Sequence, residues 1–93
     1  MDDVDKGPKT SISEIAAAQD IANLQRIKED GHRDTWVYTA GSLLVKGLHL
    51  SREPRMEKGG EMIVEAIKPV MEEIKDDPKL SKIFIEGLLV GLR

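Results

Sequence analysis

The sequence predicts an all-α fold: a small four-helix bundle-like domain, its third helix kinked at Pro69 and its core completed by homodimerisation. Three observations carry that expectation. Met56, Gly60, Ile63, Ile67, Val70 and Ile74 step alternately by four and three residues, a spacing that only a helix gathers onto one side. Trp36, Tyr38 and Phe84 are the only aromatic residues, so the core must rest on Ile, Leu, Val, Met and Ala, which suits helix packing better than a sandwich. The last segment is apolar over more of its circumference than one small subunit can cover. A chain of 93 residues buries only roughly 60–65% of its unfolded surface, so a single core has limited depth.

Residues 1–10 are polar, contain Gly7 and Pro8, and show no periodicity. A disordered N-terminal tail is expected there, followed by one helical domain over 11–93. Ser11-Ile12-Ser13-Glu14 matches a capping box, in which the serine and the glutamate satisfy each other's backbone N–H groups. The first helix should run from Ile12 to Asp30, with Gly31 ending it. Its apolar residues lie nearly all round the cylinder, and Ala16, Ala17, Ala18 and Ala22 would let other backbones approach closely. That is the pattern of a central helix or an interface helix.

Asp34 is the expected cap of a second helix, roughly Thr35 to Leu50, in which Trp36, Ala40, Leu43, Leu44, Gly47 and Leu48 fall at helical spacing. A short hairpin through residues 35–50 is the alternative. Thr35 to Thr39 is rich in β-branched and aromatic residues, and Gly41 costs a helix about 1 kcal/mol against alanine. Residues 42–45 do not alternate cleanly, and no two-residue turn signal stands in the right place.

Ser51 to Pro54 reads as a connection. The third helix then begins near Arg55, or only at Glu61 if Gly59-Gly60 weaken its first turns. Pro69 removes a backbone donor and meets the carbonyl of Glu65. The apolar stepping nevertheless stays in phase from Ile67 to Ile74, which favours a kinked continuous helix over two helices. Asp76-Asp77-Pro78 resets the chain, with an aspartate cap and proline at the first helical position. In the last helix, Lys79 to Leu92, the apolar residues Leu80, Ile83, Phe84, Ile85, Leu88, Leu89, Val90 and Leu92 cover roughly 260° of the wheel, against about 100–140° for a surface helix. Gly87 and Gly91 stand four apart and offer a groove to another backbone.

Charge excludes some functions and composition excludes others. There are 14 basic and 17 acidic residues, for a net charge of −3, which gives no global attraction to nucleic acid or to an anionic membrane. The chain has no cysteine, hence no disulfide framework and no thiolate site. Its acidic start (Met1-Asp2-Asp3) is unlike a signal peptide, and no apolar run approaches the ~18 residues of a membrane span. A soluble, cytoplasmic protein is expected.

Glu57, Glu61 and Glu65 form a carboxylate ridge continued by Glu72 and Asp76. Di-metal bundles combine such carboxylates with Glu-x-x-His pairs, which this ridge does not carry; with Lys58 and Lys68 interspersed, it reads as a solvated face. Lys46, His49, Arg52, Arg55 and Lys58 recur every three residues. Lys46, Arg52, Arg55 and Lys58 are the candidate contacts for an anion or a nucleic-acid backbone. In a helix-turn-helix reading, however, Glu57, Glu61 and Glu65 would repel phosphates on the recognition helix. His32 and His49 stand alone and read as surface or capping residues. No serine sits in a nucleophile elbow, and Gly59-Gly60 lacks the Lys-Ser/Thr of a phosphate loop. Trp36 and Tyr38 point about 200° apart on a helix, so Trp36 belongs to the core and Tyr38 is the better partner contact.

The function expected from this pattern is that of a small non-enzymatic helical interaction protein: an adaptor, inhibitor or regulator that binds another protein stoichiometrically through the last helix or the ladder helix. Its predicted interface residues are Tyr38, Ile85, Leu88, Leu89 and Leu92; its partners are itself and a second protein, with no cofactor and no membrane. Two alternatives stand behind it: a DNA-associated regulator using Lys46 to Lys58, and a carboxylate-based metal-binding bundle.

Overall fold

The computed structural model describes residues 11–93, which fold as α1 (Ile12–Glu29), α2 (Arg33–Leu50), α3 (Glu57–Ile74) and α4 (Pro78–Gly91), with no strand among them. The tail expected over 1–10 lies outside the described residues.

α1 opens on the predicted capping box: Ser11 Oγ accepts from the Glu14 backbone N–H at 3.2 Å, and the Ser11 N–H donates to Glu14 Oε1 at 2.9 Å. It closes in a Schellman arrangement around Gly31, whose φ is 84°. The Gly31 N–H donates to Lys28 O at 3.0 Å and the His32 N–H to Ile27 O at 3.2 Å. His32 thus satisfies the end of α1 through its backbone. α1 is not the central helix, the first of the two readings that its alanines allowed. It buries only Ser13, Ala17 and Leu24, with Ile27 packed partly against the core, because its short alanine side chains reach little of the interior.

The centre belongs to α2, which packs against all three other helices. It buries Trp36, Val37, Ala40, Gly41, Leu43, Val45 and Gly47, so the hairpin alternative is overturned. Tertiary packing outweighs the strand propensity of Thr35–Thr39. Asp34 does not cap this helix: α2 begins two residues earlier than expected, after His32, with no side-chain cap. Asp34 instead meets Lys79 at 3.5 Å, tying the starts of α2 and α4 together. Gly41 is a contact rather than a defect. A methyl group there would lie 2.9 Å from the Leu88 backbone nitrogen, and one on Gly87 would drive into the Tyr38 carbonyl.

α3 carries the ladder. Gly60, Ile63, Ile67, Val70 and Ile74 are buried, but Met56 is 45% exposed and sits before the helix as its N-cap. The helix starts at Glu57, ahead of the glycine pair, because Gly59 and Gly60 are where the backbones of Ser13 and Ser51 press against it. Pro69 lies on its exposed side. α3 runs in the same direction as α1, Gly59 meeting Ser13 at one end and Glu73 meeting Lys28 at 2.9 Å at the other. Lys28 also stands 4.6 Å from the centre of the Trp36 ring, a cation–π placement that covers the edge of the core. α4 begins as predicted, with the Leu80 N–H donating to Asp77 Oδ1 at 3.0 Å and Pro78 in the first turn. Ser81 Oγ donates to Ile74 O at 3.1 Å, which satisfies a carbonyl at the end of α3.

Candidate functional site

α4 contributes Leu80, Phe84 and Gly87 to the interior and leaves the opposite side uncovered. Ile85, Leu89 and Leu92, spaced by four and three residues, are 53%, 56% and 65% exposed. They form a continuous apolar stripe. Of the other predicted interface residues, Tyr38 is exposed on α2, while Leu88 is half-buried and packed against the core. Val90 and Leu48 add exposed apolar surface that the prediction omitted. Two features read from the sequence are met within the chain itself. The Gly87/Gly91 groove is filled by α2 of the same chain, with Gly41, Ser42 and Val45 seated in it. The apolar face of the ladder helix is consumed inside the subunit and leaves its carboxylates outside.

The four basic candidates do not converge. Lys46 pairs with Asp20 at 2.7 Å. Lys58 lies on the α1–α3 side beside Glu14, Glu61 and Glu65, and Arg52 is exposed in the connection. Only Lys46 and Arg55 line one cavity together. Glu14 is held below the usual glutamate range, chiefly by the Ser11 backbone N–H and then by the Ser11 hydroxyl, with Lys58 adding a smaller attraction against the opposing effect of desolvation.

Among the described residues, no three of His, Cys, Asp or Glu gather as a metal ion would require. Glu65 pairs with Lys68 at 2.7 Å and Glu72 with Lys75 at 2.6 Å. Glu29 and His32 have the Glu-x-x-His spacing, but Gly31 ends α1 between them and both are exposed. No described helix is long and apolar enough to cross a membrane.

Sequence reasoning missed a cleft of about 480 Å³ between α1, α2, α3 and the connection that precedes α3. Its walls come from four separate segments, so no local pattern announces it. Comparison with protein families, with curated proteins and with solved structures finds no match to this chain.

Proposed function

We propose that this chain is a small non-enzymatic helical interaction protein, an adaptor, inhibitor or regulator of the cytoplasm, that works by stoichiometric binding through α4. The supporting observation is the exposed Ile85–Leu89–Leu92 stripe. Three large aliphatic side chains aligned on one helix face make a contiguous apolar patch, the kind that marks a protein contact. Tyr38 stands on the helix beside it. Helix-in-groove recognition reads such i, i+4, i+7 anchors, and the same stripe pairs two copies of the chain into a homodimer. In this reading α3 bends at Pro69, where the helix lacks a donor and the ring meets the Glu65 carbonyl. The scatter of the basic residues favours this reading over a DNA-associated one, since phosphate binding gains from cations acting together.

Light scattering tests the self-association. The wild type should have twice the chain mass, and Leu89→Glu should be monomeric with undiminished helicity. A monomeric wild type at concentrations of tens of micromolar removes the homodimer.

A further inference from the structure

The cleft between α1, α2 and α3 is mostly apolar, and Arg55, whose backbone is left-handed, stands at its edge. Its apolar walls come from Ile12, Ala16 and Ala17 of α1, Leu50 of α2, Met56, and Ile63 of α3. The polar groups are few: the Ser13 hydroxyl, the Lys46–Asp20 ion pair and Arg55. Small-molecule sites have this make-up, a mostly apolar cavity of about 300–1,000 Å³ with a few placed polar groups that fix orientation.

Arg55 is the unusual member. Glu53 O accepts from the Met56 N–H at 3.0 Å, Pro54 stands second in that turn, and Arg55 stands third with φ 80°. This is the type II pattern, whose third position belongs to glycine or asparagine. Of the described non-glycine residues, Arg55 alone has a positive φ. A side chain kept where the backbone favours glycine points to a task for that side chain. The charges at the cleft agree. Among the described lining residues Lys46 and Asp20 cancel, so Arg55 leaves one net positive charge beside an apolar cavity.

We propose that this cleft binds a small amphipathic carboxylic acid, a medium-chain aliphatic monocarboxylate whose tail fills the space between Ala16, Leu50 and Ile63 and whose carboxylate meets the Arg55 guanidinium. Guanidinium and carboxylate match as a fork-to-fork pair. A phosphate or polyphosphate fits less well, because the other donors at the cleft are engaged, Lys46 with Asp20 and the Ser13 hydroxyl with the Ser11 hydroxyl and the Arg55 carbonyl.

Isothermal titration of the full chain with sodium decanoate, below its micelle concentration, and with decan-1-ol tests the site. Decanoate should bind at one site per chain, about tenfold tighter than the alcohol. Arg55→Gly should abolish that preference while raising the melting temperature by about 4 °C, because it relieves the left-handed backbone. Loss of the acid preference in a more stable protein separates recognition from folding damage. Ala16→Trp, at an exposed position on the cleft wall, should block both probes. Equal binding of acid and alcohol overturns the proposal and points to an apolar side chain of a protein partner as occupant. Absence of binding, with the cleft filled by a second copy or by another part of the chain, also overturns it. So does an unchanged preference in Arg55→Gly.

Discussion

At the scale of single residues, the capping box shows how directly a short pattern becomes structure and pH dependence. Ser11 and Glu14 exchange hydrogen bonds as the Ser-x-x-Glu spacing requires, and Ser11→Ala should cost about 1 kcal/mol in urea unfolding. Glu14 is held below the usual glutamate range in the folded chain, mainly by the Ser11 N–H. Its ionised form therefore adds stability that is fully present above the unfolded glutamate pKa of about 4.3 and is lost as pH falls through the lower folded value. Glu14→Gln keeps the shape without the titration. The stability difference between wild type and Glu14→Gln should be constant near neutrality and shrink below about pH 4.3; a difference independent of pH down to acid would refute the assignment. This pair was legible because cap and partner lie within one turn. The left-handed backbone of Arg55 was not, because an arginine in the third position of a turn carries no signal for the conformation that glycine or asparagine would announce there.

At the scale of elements, the apolar periods placed all four helices within two residues of their observed ends, apart from the later of the two starts allowed for α3. The glycines were harder to read. Gly41 and the Gly59-Gly60 pair count against a helix by intrinsic propensity, yet each is a point where another backbone needs the space of a side chain. Propensity is a property of the residue; close approach is a property of the pair, and a sequence shows only one member at a time. Gly87 makes the distinction measurable. Alanine there gains helix propensity of about 1 kcal/mol, but its methyl group meets the Tyr38 carbonyl, part of a helix that has no flexible end to yield. Overpacking of this kind typically costs about 1–3 kcal/mol. Gly87→Ala should therefore lower the urea midpoint with little change in slope. A higher midpoint would mean that α2 and α4 do not approach as closely as described.

At the scale of the whole molecule, one core runs from Ala17 and Leu24 of α1 to Leu80 and Phe84 of α4, and α2 lies in the middle of it. The wide apolar arc of the last helix was legible as a surplus, since three short helices packed around a fourth leave the outer side of the last one bare. What covers that side is not written in a single chain's periodicity. The surplus still has a thermodynamic signature. If two copies pair through Ile85, Leu89 and Leu92, unfolding is coupled to dissociation, and the folded state gains stability by mass action as the protein is concentrated. A tenfold increase is worth about 1.4 kcal/mol per dimer. Shared between two chains of this size, that raises the melting temperature by about 4 °C. Leu89→Glu places a charge in the middle of the stripe, where pairing would bury it without a partner. Its melting temperature should be flat with concentration and should equal that of the dilute wild type. A flat wild-type curve would instead mean that α4 keeps its apolar face in water until a different protein arrives.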